Sequence, residues 1–186
     1  MKKKIIAITL FFALAFFTFG QEISDFNYFV EMGRLIITGY SNTGPKDVVI
    51  PASIYGWPVT AIEQQAFMNN QLTSVTIPNS VIEIGDYAFA RNQLTSLTIG
   101  NSLTMIGTQA FVGNQLTSLT IPNSVTTIRQ QAFRDNQLTS ITIGISVHTI
   151  GSQAFAGNQL QSVVIPGSVV NFSSSAFDRN VLIQRQ

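Results

Sequence analysis

The side chains that could do chemistry are few and ill placed for it. The chain of 186 residues has one histidine, His148, no cysteine and nine carboxylates. His148 occupies a position filled elsewhere by Ile82, Thr104, Thr126 and Val170, between two apolar positions, so it is expected to face solvent. Glu63, Glu83, Asp86, Asp135 and Asp178 fall in different segments and at different points of the pattern described below. No pair recurs, so neither the carboxylate couple of glycoside hydrolysis nor an oxygen cage for calcium is indicated. The serines lack a histidine and an acid beside them and remain plain hydroxyls. No glycine run follows a strand and opens a helix as a phosphate-binding loop does. No catalytic, cofactor-binding or metal-ligating residue is expected, and no cofactor.

What the sequence does order is neutral hydrogen-bonding groups. Ser74 and Thr76, Ser96 and Thr98, Ser118 and Thr120, and Ser140 and Thr142 recur at a fixed interval, followed by Ser162 with Val164. Placed on stacked strands, they form two parallel rows of hydroxyls pointing away from the core. Such rows arise where threonine merely suits strands and serine keeps a face wet. They also make an uncharged face able to hydrogen-bond a partner over several strands, and repetition favours weak multivalent contact. A second candidate is the stretch "SIYGWP" at 53–58, where Tyr55 lies two residues from Trp57, the only tryptophan. Exposed aromatics anchor interfaces; the alternative is that Trp57 packs against the N-terminal hairpin as part of the cap.

The elements that must position these groups follow from a repeat. "QLTSVTIPNSVIEIGDYAFARN" (71–92) returns at 93–114, 115–136, 137–158 and 159–180, a period of 22 without a slip. A fixed period in this range marks a solenoid. Apolar columns run through Leu72, Val75, Ile77, Val81, Ile84 and Phe89. "LTSVTI" alternates as a half-buried strand does, Pro78 or Gly100 stops it, and "SVIEI" is a second extended piece. "GDYAF" fits a glycine turn followed by one helical or 3-10 turn. One coil cannot bury its own apolar columns, but stacked coils cover one another. Phe67, Phe89, Phe111, Phe133, Phe155 and Phe177 should form an internal file at a step of ~4.8 Å. Replacing the mid-stack Phe111 by Ala should cost ~3–5 kcal/mol in a urea melt. Asn70, Asn92, Asn114, Asn136, Asn158 and Asn180 form a second file, suited to bonding the backbone of neighbouring coils because an amide both donates and accepts.

The units "LTSVTIPNSV" and "IGDYAF", with the opening "VVIPASIYGWPVTAI", resemble the BspA-like bacterial leucine-rich repeat family over roughly Tyr28 to Asn180. Units of that family are usually one residue longer and carry Cys where this chain has the asparagine file. The expected fold is an α/β-type leucine-rich repeat solenoid: mostly short parallel β-strands, helical or 3-10 turns, and an N-terminal β-hairpin cap. The resemblance implies an exported or surface protein whose relatives are associated with adhesion to host matrix proteins or other cells.

The ends are read separately. "MKKK" followed by an uncharged apolar run of fifteen residues (5–19), with the small Thr18 and Gly20 near its end, has the layout of a secretory signal, 1–20. The run falls short of the ~20 residues that span a bilayer. Residues 21–58 read as the N-terminal cap, with a hairpin of Phe26–Met32 and Arg34–Tyr40 about Gly33, and 59–186 as the solenoid. At the far end Leu182 is expected at the leucine position of a final strand, whose edge could pair end to end with another copy. No further apolar run is long enough to span a membrane. The formal net charge of +1, or −2 without Lys2, Lys3 and Lys4, gives no basic footprint for nucleic acid. A protein partner at the sheet face is the first functional reading, and carbohydrate or a surface lattice, met by the same hydroxyl rows, is the alternative.

Overall fold

The computed structural model describes residues 21–186; the expected signal at 1–20 lies outside the described residues. The strands are β1 (Phe26–Glu31), β2 (Arg34–Tyr40), β3 (Asp47–Val49), β4 (Ser53–Ile54), β5 (Trp57–Ile62), β6 (Ser74–Thr76), β7 (Glu83–Ile84), β8 (Ser96–Thr98), β9 (Met105–Ile106), β10 (Ser118–Thr120), β11 (Thr127–Ile128), β12 (Ser140–Thr142), β13 (Thr149–Ile150), β14 (Ser162–Ile165), β15 (Asn171–Phe172) and β16 (Leu182–Arg185). Each 22-residue unit contributes one strand to each of two sides. The chain turns at Pro or Gly between them and returns through the Ala-Phe segment.

On the side of the "SVIEI" pieces the pairing is unbroken, in the order β1-β2-β5-β7-β9-β11-β13-β15, with β4 on β5. From β5 onward it steps in exact 22-residue register, as in Ile84 beside Ile106 and Ile128 beside Ile150. A second backbone ladder follows the phenylalanine file: the N–H groups of Phe67, Phe89, Phe111, Phe133 and Phe155 each donate at 2.8 Å to an alanine carbonyl of the next coil. The rings stack with centroids 4.8–5.5 Å apart, the step expected of neighbouring strands. All six side chains are buried.

The asparagine file is buried from Asn70 to Asn136 and half-buried at Asn158, and its amides bond backbone groups. Asn92 accepts at Oδ1 from the N–H groups of Asn70 and Leu72, both at 3.0 Å. Its Nδ2 donates to the carbonyls of Phe67 and Phe89, at 2.8 and 3.0 Å. One amide thus satisfies backbone groups of two coils at a bend where neither sheet reaches them. The file ends earlier than expected. Asn180 is exposed, and the Asp178 carboxylate takes over, accepting from the N–H of Gly157 at 3.0 Å and of Asn158 at 3.3 Å.

The expected helical turns do not form in the repeat. Among the described residues the helical element is a single 3-10 turn, Ile23–Asp25. The Ala-Phe segments are plain turns, because Gln65, Tyr87, Gln109, Gln131 and Gln153 all lie at φ between 55° and 60°. A left-handed residue ends a right-handed helical turn and costs roughly 1–2 kcal/mol. Here it also aims its amide at the next coil: Tyr87 N–H donates to the Thr108 carbonyl and Gln109 N–H to that of Gln130, each at 2.9 Å.

The N-terminal hairpin is present, β1 against β2, closed by Met32 and Gly33 at positive φ, as a tight two-residue hairpin turn requires. β2 then runs parallel to β5. Tyr40 stacks on Phe67 at 5.3 Å, and Phe26 packs on Tyr40 at 5.2 Å, extending the ring file into the hairpin. Beside it, the buried amide of Gln21 closes the outer edge of β3, donating to the Val49 carbonyl at 2.6 Å and accepting from the Val49 N–H at 2.9 Å.

At the far end Leu182 does not take the leucine position. β16 pairs with β14 as Ser162 beside Leu182 and Val163 beside Ile183, an offset of 20 rather than 22. The last return is two residues short, so Leu182 falls on the outward serine position and is exposed, while Ile183 takes the place of Val163.

Candidate functional site

The hydroxyl rows lie where the alternation of "LTSVTI" puts them. Ser96, Thr98, Ser118, Thr120, Ser140, Thr142 and Ser162 are exposed, as is Thr76, with Ser74 half-buried. Within paired strands the rows are in register: Ser74 beside Ser96 and Thr76 beside Thr98, then Ser118 beside Ser140 and Thr120 beside Thr142. Asp47 heads the serine row. It accepts from the hydroxyls of Thr73 at 2.6 Å and Ser74 at 2.9 Å, and those two bonds hold its carboxyl below the usual carboxylate range.

The backbone pairing that carries the rows is not continuous. The strands group as β3-β6-β8, β10-β12 and β14-β16, with a seam after β8 and another after β12. Within a block, Ile77 N–H donates to the Thr98 carbonyl and Ile121 N–H to that of Thr142, both at 2.9 Å. Among the described residues Ile99 makes no such bond to Thr120, nor Ile143 to Val164. Other ties respect the same blocks. Thr95 Oγ1 bonds the Thr73 carbonyl and Thr139 Oγ1 that of Thr117; Asn101 N–H bonds Asn79 Oδ1 and Ile145 N–H bonds Asn123 Oδ1.

The blocks follow the turn residue. Proline and glycine alternate there as Pro78, Gly100, Pro122, Gly144, Pro166. A Cβ added to Gly100 would lie 2.5 Å from the Pro78 carbonyl, and one added to Gly144 would lie 2.3 Å from that of Pro122. Each glycine coil has sunk onto the proline coil before it, at a distance only glycine permits. The sheet on the other side and the phenylalanine ladder run past both seams without a break, so the opening is confined to the hydroxyl face.

The first seam is a shallow open cleft of about 370 Å³ between β8 and β10. Leu97 and Ile99, half-exposed where Val75 and Ile77 are buried, line it together with Thr98, Ser118 and Thr120. In the strand lattice Ile77 N–H points to the following coil and Thr98 C=O to the preceding one. By the same alternation, the N–H and C=O groups of Leu97 and Ile99 face the cleft from one wall, and those of Ser118 and Thr120 from the other. Thr98, Ser118 and Thr120 belong to the hydroxyl rows expected from sequence, whereas Leu97 and Ile99 were missed, although the proline–glycine alternation is visible there.

The aromatic pair sits elsewhere. Tyr55 and Gly56 form the turn between β4 and β5, Tyr55 at φ 51°. Tyr55 is 71% exposed and Trp57 45%. Part of the indole lies over the β1–β2 turn, where a Cβ on Gly33 would be 3.7 Å from it, so Trp57 both contacts the hairpin and offers ring surface. The structure does not bring it into the hydroxyl rows. His148 is exposed in its outward column. Among the described residues no group of three or more His, Cys, Asp or Glu side chains could hold a metal ion, and no helix is long and apolar enough to cross a membrane.

Residues 60–183 match the family described as "BspA type Leucine rich repeat region", in six copies. No curated protein matches the chain. Among solved structures, the T. pallidum leucine-rich repeat protein is 26% identical with a TM-score of 0.71, covering 88% of this chain and 86% of its own. A leucine-rich cell surface protein of Faecalibacterium prausnitzii is 24% identical with a TM-score of 0.61, over 91% of this chain and 55% of its own. The pneumococcal vaccine antigen PcpA is 23% identical with a TM-score of 0.68, over 88% and 48%. The chain therefore spans about half the length of the latter two.

Proposed function

We propose that this chain, which belongs to the BspA-type leucine-rich repeat family, is an exported or surface module that binds a protein partner, in host matrix or cell contact, through its hydroxyl face. The observation that carries the reading is the exposed, uncharged pair of hydroxyl rows held in register by backbone pairing. A face of this kind spends its binding capacity on many small hydrogen bonds, which suits multivalent contact. The basic start and apolar run at 1–20 support export, and the similar Faecalibacterium prausnitzii structure is that of a cell surface protein. Residues 21–58 act as the cap, their hairpin continuing the sheet and Gln21 closing the edge of β3. Nothing in the site calls for catalysis.

The test is capture by the chain from residue 21 onward on immobilised matrix proteins and on a glycan array. Thr98→Lys with Thr120→Lys places two charges in the rows without touching the core. Loss of capture with an unchanged melting temperature is the expected result. Capture that survives both changes places the partner surface elsewhere, and binding to glycans alone favours the carbohydrate alternative.

A further inference from the structure

The seams give the hydroxyl face two subsites whose ligand chemistry the protein itself displays. At the first coil the backward-facing N–H and C=O of Val49 would be a bare strand edge, and the primary carboxamide of Gln21 closes it with a paired donor and acceptor. Val49 is in register with Thr76, and Thr76 with Thr98; Thr120 is the next residue of that column, 22 further on. Thr120 therefore presents to the seam the same pair of groups that Gln21 satisfies at Val49. Across the cleft Leu97 and Ile99 add the opposite edge and a half-exposed apolar floor.

From this match we propose that the seams read carboxamide side chains, glutamine or asparagine, on an extended polypeptide partner. The inference rests on the reading of the hydroxyl face as the partner surface and names what that surface selects. The seams lie two coils apart, about 10 Å at strand spacing. A polyproline II segment laid along the stack repeats its facing every third residue, about 9 Å. Carboxamides three residues apart on such a segment meet both seams at once, and a charged side chain is disfavoured at the first cleft, whose lining offers no counter-charge.

The experiment follows the Leu97, Ile99 and Thr120 amide resonances of the ¹⁵N-labelled exported chain. Peptides of Pro-Pro-Gln, Pro-Pro-Glu and Pro-Pro-Ala repeats are titrated, with an N-acetylglucosamine oligomer as the glycan arm. The glutamine peptide should shift the three amides saturably, at a concentration at least tenfold lower than the other two. Thr120→Pro removes the seam-facing N–H together with the Thr120 hydroxyl and should abolish the shift, whereas Thr120→Val removes the hydroxyl alone and should keep it. Should the proline variant fail to fold, Gln21→Ala bares the Val49 edge, and the same peptide should then move the Val49 amide. Equal responses to all three peptides, silent seam amides, or a response to the sugar alone would overturn the inference. If the glutamine peptide is silent while the lysine substitutions at Thr98 and Thr120 still abolish partner capture, the surface reading stands and the carboxamide reading falls.

Discussion

The side-chain amide of Asn114 donates to the carbonyl of Phe89, 25 residues earlier, at 3.0 Å. The same amide donates to Phe111 at 3.1 Å and accepts from Leu94 N–H, also at 3.1 Å. Two coils are joined by one neutral group at a bend that neither backbone ladder covers. Asn114→Ala leaves the buried Leu94 N–H unpaired, at about 1–3 kcal/mol, while the Phe89 and Phe111 carbonyls keep the amides of Asn92 and Asn136, so a loss of about 1–3 kcal/mol is expected in a urea melt. Asn114→Asp keeps the acceptor and buries a charge. Its folded-state pKa is raised, so the variant should be more stable at pH 4 than at pH 7.

Ser124 and Ser168 occupy the same position two coils apart, yet they should respond to alanine with opposite signs. The Ser124 hydroxyl is buried without a partner among the described residues, whereas Ser168 Oγ donates to the Val147 carbonyl at 2.8 Å. Ser124→Ala should stabilise by about 1 kcal/mol and Ser168→Ala should destabilise by a similar amount. Paired thermal melts of the two variants read this directly.

Tyr40 predicts how stability falls in alkali. Its hydroxyl donates to the Pro45 carbonyl at 3.0 Å; burial, and secondarily the Asp25 carboxylate, pushes its pKa up to about 12. The unfolded phenol ionises near 10. Between these values the unfolded chain releases a proton that the folded chain keeps, so this contribution is complete below pH 10 and declines toward pH 12. Melting temperatures across that window should fall in the native chain and fall less steeply in Tyr40→Phe.

Most of the fold was legible because the repeat writes each packing decision several times. Phe89, Phe111 and Phe133 share a column, and identical residues at identical intervals can bury themselves only against one another. The asparagine file was legible for the same reason. The left-handed column was not, since Tyr87 and Gln109 are residues whose types give no sign of positive φ; the coil-to-coil bonds of their amides impose it. Leu182 was misplaced because the final return is two residues short, a length change that the apolar alternation of Val181 and Ile183 masks. The seams escaped because Pro78 and Gly100 were read as equivalent strand stops. Their difference matters only when one coil rests on another, where a missing side chain sets how closely the backbones approach.

The division of the hydroxyl face into blocks is tested most directly by amide hydrogen exchange at Ile77 and Ile99, equivalent residues in neighbouring coils. Ile77 N–H is bonded to the Thr98 carbonyl at 2.9 Å and should exchange only with unfolding of its block. Ile99 N–H faces the seam and should exchange at least a hundredfold faster under native conditions. Equal protection at the two amides would mean that β8 and β10 are paired in solution, and would contradict the account of the face given above.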